Sequence, residues 1–255
     1  MTVHFKQDKP DESNRLDDMK QGVIGAPLPR VEGMAKVTGT APYAAEYPVE
    51  NCAEGGLVTS TITRGEGTRI DKDSVLSMPG VLAVVDDERL TTRAAQGTAN
   101  EAPKQDPATV CYWGQPIAVV VAETFEQARD AAKHLKVEYR VHEGAPLDPH
   151  QVTPEEQEDE TVNQGDLDAA MARAAHTVDV EIATEGHASA AMEPHAAIAE
   201  WRDDKLTVHA SLQMPNYNIA ELADSLGIEE SDIRLVSRYV GGGFGSKLGI
   251  SEETV

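Results

Sequence analysis

Basic residues are scarce in this chain. Lys and Arg total 22 against 44 Asp and Glu, which gives a formal net charge of −22 over 255 residues. Nucleic acid and anionic membrane surfaces are polyanions and would be repelled, so neither is expected as a partner. Long apolar runs are also missing, and none approaches the roughly 18 residues that a membrane helix needs. Residues 1–20 are charged throughout and lack the apolar core of a secretory leader. A soluble protein is expected, cytoplasmic, or periplasmic if exported with a partner that carries the signal. The only cysteines, Cys52 and Cys111, form no CxxC and no zinc or iron–sulfur spacing. One disulfide is compatible with them, but two buried free thiols are the expectation, with no metal ligand set. Aromatics make up only 4%. Together with the acid excess this suits either adaptation to high salt, where screening tolerates self-repulsion, or an ordinary acidic enzyme.

What is present reads as α+β. Residues 1–24 are polar and read as an N-terminal arm. Within 25–145, Leu57–Thr63 is strand-like, Asp73–Met78 is a short helix stopped by Pro79-Gly80, and Val81–Val85 and Pro116–Ala122 are buried strands. Thr124 and Gln127 fit a capping box, opening a helix with Phe125, Ala128, Ala132 and Leu135 on one face. Val137–Tyr139 returns as a strand, so a β-α-β unit is expected there. Residues 86–110 read as a long exposed loop. Residues 146–165 are acidic and read as a linker, with Glu155–Glu160 a solvated run rather than a metal site. From 166 onward the pattern predicts a helix opened by Gly165-Asp166-Leu167, a strand over Val178–Ala183, and a hairpin turning at Asp203-Asp204. A helix over Asn216–Leu226 ended by Gly227 and a strand over Ile233–Ser237 follow.

The densest signal is Tyr239-Val240-Gly241-Gly242-Gly243-Phe244-Gly245-Ser246-Lys247. It is not a Walker A loop, because Ser246 separates Gly245 from Lys247 and no Ser or Thr follows the lysine. A dinucleotide fingerprint begun at Gly241 would need glycine at 246, and Leu248-Gly249-Ile250 is a poor helix start. Two readings stay open on local grounds: a backbone cradle for an anionic cofactor, or a tight turn with spare glycines.

The surroundings make the run specific. Ala191-Met192-Glu193-Pro194-His195, Trp201, Leu212-Gln213-Met214-Pro215 and the glycine run occur in an order that resembles the molybdenum-binding subunit of the xanthine dehydrogenase/aldehyde oxidase family. Within that family the likeness is greatest to the bacterial periplasmic aldehyde oxidoreductases of three-subunit type. Arg30–Tyr43 is similar to the family's opening R-x-[DE]-G-x-x-K-V-T-G-x-A-x-Y, and Met78–Val85 and Gly114–Thr124 match its a/b hammerhead domain. The resemblance covers 25–250, about the first third of a family subunit.

It implies an a/b hammerhead domain over 25–145 followed by the start of the first molybdopterin-binding domain over 166–255. It implies a molybdenum–molybdopterin cofactor in the cytosine dinucleotide form, with iron–sulfur clusters and FAD on partner subunits. It also implies oxidation of a small aldehyde to its carboxylic acid, with water as the oxygen source. By resemblance Gln213 contacts the oxo ligand of the molybdenum, and the Gly243 and Phe244 backbone touches the cofactor in a loop shaped by Gly241, Gly242 and Gly245. The Phe244 ring itself is expected in the core. Glu193 and His195 read as a hydrogen-bonded pair that anchors a strand beside the cofactor, rather than as acid and base. Leu248 stands where purine hydroxylases of the family carry a Glu, which favours an aldehyde over xanthine. The family's general-base Glu lies far downstream and has no counterpart here, and 248–255 carry nothing distinctive of the family. The alternatives are therefore a noncatalytic truncated fragment, or a structural half that needs a second polypeptide, the C-terminal half of the subunit.

Overall fold

The computed structural model describes residues 22, 25–87, 108–144, 164–251 and 254. The expected arm, most of the expected 86–110 loop and nearly all of the acidic linker with Glu155–Glu160 lie outside them.

Two units are separable by their internal contacts, 1–41 and 42–255. In the first, among the described residues, the short helix α1 (Gly33–Val37) is followed by Thr38, whose hydroxyl donates back to the Met34 carbonyl at 2.8 Å. Leu28, Val31, Met34 and Val37 recur every three residues and are all exposed within it.

In the second unit the most apolar run, Pro116–Ala122, forms strand β5. It is the centre of a sheet ordered β1-β5-β3, with β1 (Glu54–Thr59) and β3 (Val81–Val85) antiparallel to it. One face of this strand is fully buried, at Ala118, Val120 and Ala122, while on the other Ile117 is buried and Val119 and Val121 are half-buried. β3 was expected to be buried; it is an edge strand, with Leu82 and Val85 exposed. Helix α2 (Asp73–Leu76) precedes it. Helix α3 (Phe125–His134) opens where the Thr124 hydroxyl accepts from the Gln127 amide at 3.3 Å. The reciprocal half of the capping box is replaced by a bond between the two side chains at 3.2 Å. The buried stripe of α3 centres on Ala128 and Ala131 and ends at Leu135, while Phe125 is exposed, contrary to expectation.

The helix is followed by β6 (Lys136–Val141), but β5 and β6 do not share a sheet. β6 pairs antiparallel with β2 (Gly65–Asp71), whose other edge takes β4 (Thr109–Val110). The expected β-α-β unit is therefore a crossing between two sheets. Local periodicity sets the type of each element, but not which strand it pairs with.

Helix α4 (Leu167–Arg173) is capped by Asp166, which accepts from the Ala169 amide at 2.9 Å. The strand expected over Val178–Ala183 is absent. Among the described residues the segment has no ladder partner, and Val178, Val180 and Ile182 are 68–83% exposed. Strand β7 (Ala197–Arg202) and strand β8 (Lys205–Ala210) form the expected hairpin, with Asp203 and Asp204 at φ 50° and 60° in its turn. Helix α5 (Pro215–Leu226) begins with Pro at its first turn and ends at Gly227 in the left-handed conformation. It crosses to β9 (Ile233–Val236), which lies parallel to β8.

Leu206, Val208, Ala210, Leu212, Leu222, Ala223 and Ile233 form the core of this part. Ile250 joins them, held by its amide to buried Glu221 at 3.1 Å, while Asn218 donates to the Leu248 carbonyl at 2.9 Å. The 248–250 segment is thus packed into the fold. Both cysteines are exposed free thiols rather than buried ones: Cys52 lies in the turn before β1 and Cys111 in the loop after β4. Among the described residues no helix is long and apolar enough to cross a membrane.

Candidate functional site

The glycine run leaves β9 and folds back against the chain that leaves β8, so Gln213 and residues 241–247 meet. Gln213 is the hub. Its backbone amide donates to the Lys247 carbonyl at 2.7 Å. Its side-chain Oε1 accepts from the Gly245 amide at 3.1 Å and from the Lys247 amide at 3.3 Å. Two converging N–H donors fix which end of the carboxamide is oxygen, since an NH₂ there would face two other donors. The Nε2 donor end is left open on an exposed residue.

This approach explains Gly243. A Cβ on Gly243 would lie 2.5 Å from Cδ and 2.8 Å from Cγ of Gln213, and would drive the carboxamide out. Gly241 is packed as tightly on the other side, where a Cβ would lie 2.5 Å from the Cβ of Glu193. Directly after Gly243, Phe244 sits at φ 50°, a conformation that a bulky residue adopts only under constraint. The Ser246 hydroxyl and amide both donate to the Gly243 carbonyl, at 2.7 and 2.9 Å, and the Ser189 hydroxyl donates to the Phe244 carbonyl at 3.2 Å. The Phe244 ring is 75% exposed, so the expectation of a core aromatic is wrong. The left-handed backbone turns it outward, over Gly242.

Glu193 and His195 do not sit on a strand; they precede β7. Each reaches the glycine run separately. His195 Nε2 lies 3.2 Å from the Ser246 hydroxyl. The Ser246 proton is directed to the Gly243 carbonyl, so His195 is the donor of that contact. Glu193 Oε2 accepts from the Ser211 hydroxyl at 2.6 Å, from the Gly241 amide at 2.6 Å and from Lys247 Nζ at 3.1 Å. Burial alone would raise the Glu193 carboxyl. The hydrogen bonds from Ser211, Gly241 and Lys247, with the lysine's charge, outweigh it and hold the group below the ordinary carboxylate value. Glu193 Oε1 is buried with no hydrogen-bond partner among the described residues. Lys247, absent from the sequence-based site, is 1% exposed. The one available signal was a lysine inside a glycine and apolar run.

The arrangement therefore offers an open carboxamide donor, a loop whose backbone is reachable at Gly245, where a Cβ would meet open space, and a strained turn locked by side chains. These are the features of a site for an oxygen-rich or anionic group. Among the described residues no group of three or more His, Cys, Asp or Glu is placed to hold a metal ion directly.

Comparison with known proteins agrees with that chemistry. Residues 38–143 match the a/b hammerhead domain of aldehyde oxidase and xanthine dehydrogenase, and residues 147–255 match the molybdopterin cofactor-binding domain. The chain is 40% identical over 249 residues to the aldehyde oxidoreductase molybdenum-binding subunit PaoC of Escherichia coli K12, covering 96% of this chain and 34% of that protein. It is 32% identical to the nicotine 6-hydroxylase large subunit of Paenarthrobacter nicotinovorans, covering 91% of this chain and 31% of that protein. Quinoline 2-oxidoreductase from Pseudomonas putida 86 has the same fold, with a TM-score of 0.75 at 22% identity over 89% of this chain and 32% of that one. Aldehyde oxidoreductase from Desulfovibrio gigas superposes with a TM-score of 0.72 at 25% identity, over 89% of this chain and 28% of that one. The chain spans about a third of the length of these relatives. With both domain models matched in order and the glycine run folded onto Gln213, the chain belongs to the aldehyde oxidase and xanthine dehydrogenase family, as part of a molybdenum-binding subunit.

Proposed function

We propose that this chain supplies the Gln213 carboxamide and the Gly241–Gly245 backbone to the molybdenum–molybdopterin site of an enzyme that oxidises small aldehydes to carboxylic acids, with water as the oxygen source. The observation that carries the reading is the Gln213 side chain. Its oxygen is held by two loop amides, which leaves Nε2 as the donor of an exposed side chain. A preorganised donor stabilises negative charge that develops on an oxygen ligand during reaction, without reorganising at that moment. When bound, the cofactor supplies the two-electron redox chemistry. The chain's own residues would bind and orient it: the Gly243 and Phe244 backbone would hold the cofactor in the loop that Gly241, Gly242 and Gly245 shape, and Gln213 would donate.

The cytosine dinucleotide form of the cofactor, and partner subunits bearing iron–sulfur clusters and FAD, belong to the same proposal. So does a general-base Glu from the remainder of the subunit. Leu248, in place of a polar residue after Lys247, leaves an apolar side chain that is 41% exposed and suits an aldehyde better than a purine. A second reading, a structural half completed by another polypeptide, is favoured by the exposed apolar side chains of Val178, Val180 and Ile182.

The test is to purify the chain through a tag from a host that makes molybdopterin, together with whatever assembles on it. Molybdenum, pterin and aldehyde-dependent dye reduction are then measured for the wild type and Gln213→Ala. Bound molybdenum with a large loss of turnover in the variant is the expected result. An assembly without molybdenum or pterin would overturn the reading.

A further inference from the structure

Lysine is almost never fully buried unless it is paired, yet the Lys247 side chain is 1% exposed in a wall of the proposed site. Its three ammonium protons have three acceptors: the Glu193 carbonyl at 3.0 Å, Glu193 Oε2 at 3.1 Å and the Ser211 hydroxyl at 3.3 Å. The same residue grips Gln213 through its backbone. Its amide donates to Gln213 Oε1 at 3.3 Å and its carbonyl accepts from the Gln213 amide at 2.7 Å. Glu193 holds the other end of the loop, accepting from the Gly241 amide at 2.6 Å through Oε2 and donating from its own amide to the Gly241 carbonyl at 3.3 Å.

We infer that Lys247 is a positioning residue, whose buried ion pair with Glu193 fixes both ends of the glycine loop and thereby sets where the Gln213 carboxamide points. A buried pair is a poor source of net stability, since an apolar pair of similar volume often does as well. What the charges add is direction. Every donor on the ammonium and three contacts on one carboxylate oxygen are committed, so residues 193, 211, 241 and 247 share one arrangement. The inference rests on the proposed function only for what Gln213 is pointed at.

The experiment measures amide hydrogen exchange across the full chain for the wild type, Lys247→Met and Ser211→Ala. Lys247→Met removes the ammonium and leaves Glu193 without its countercharge, whereas Ser211→Ala removes one hydroxyl and no charge. Lys247→Met is expected to speed exchange in 239–251 at least about ten-fold, while β8 and α5 stay within about two-fold. Ser211→Ala is expected to give the same pattern at about three-fold, and it carries the test if Lys247→Met does not fold. Unchanged exchange in 239–251, or an equal rise across the whole chain, would overturn the inference.

In protein loaded with molybdenum, Lys247→Met is expected to shift the Mo(V) resonance in the same direction as Gln213→Ala. A spectrum identical to wild type, with Gln213→Ala altered, would also overturn it. If the wild type takes up no molybdenum, the proposed function fails, and the exchange data still judge the positioning role by themselves.

Discussion

Gly243→Ala isolates the contact on which the site depends. The φ of Gly243 lies outside the left-handed region, so alanine is conformationally allowed and the effect is steric. Its Cβ would stand 2.5 Å from Gln213 Cδ, about 1 Å inside the ordinary carbon–carbon contact of about 3.5 Å. The carboxamide must withdraw by roughly that amount. Its bonds from the Gly245 and Lys247 amides, now 3.1 and 3.3 Å, would lengthen to about 4 Å and cease to be hydrogen bonds. Two such bonds at about 0.5–1.5 kcal/mol each give a loss of about 1–3 kcal/mol. A double-mutant cycle in urea denaturation separates this from general damage. With Gln213→Ala in place there is nothing for the new methyl to strike, so a coupling of about 1–3 kcal/mol is expected between the two substitutions. Gly227→Ala is the control. It costs about 1–2 kcal/mol because its φ is 67°, but a Cβ there meets nothing and the residue makes no bond to Gln213, so its coupling to Gln213→Ala should be near zero. A coupling below about 0.5 kcal/mol for Gly243 would refute the packing argument.

Three further outcomes follow from the fold. Thr124→Ala removes the side-chain acceptor at the start of α3 and should lower stability by about 1 kcal/mol, read as a drop in the urea midpoint at constant slope. Asp204→Gly relieves a left-handed aspartate in the β7–β8 turn and should raise stability by about 1 kcal/mol, read the same way. The Glu193 carboxyl is held below its ordinary value of 4.5 in the folded chain, so its contribution is complete above that pH and is lost as pH falls through the lower folded value. The stability gap between wild type and Glu193→Gln should therefore be widest near neutrality and narrow below pH 4.5; a gap that widens on acidification would reverse the assigned sign.

What the sequence disclosed was mostly what short spans decide. The Thr124 cap, the helix opened by Gly165-Asp166-Leu167, the Asp203-Asp204 turn and the Gly227 stop each depend on residues within a few positions, and all stand as read. Strand pairing does not. Val178–Ala183 alternates like a strand but among the described residues has no neighbour to pair with, and alternation is only one half of a ladder. The β5–α3–β6 segment was read correctly element by element, and wrongly as a unit, because β2 lies elsewhere in the chain and claims β6.

The candidate site divides along the same line. Gln213 and the glycine run could be brought together on paper by the order of motifs, but the reason for each glycine could not. Gly241 and Gly243 look like freedom for a cofactor to approach. In the fold they are filled by Glu193 and Gln213, the two side chains that hold the loop, and only Gly245 faces open space. The run is therefore first a packing solution and then a binding surface. Lys247 was hidden for the same reason. In the sequence Lys247 served only to rule out a Walker A loop. Its burial is decided by Glu193, 54 positions away, and by Ser211, 36 positions away. No local window contains either partner, so the residue that orients the site becomes visible only once the chain has folded around it.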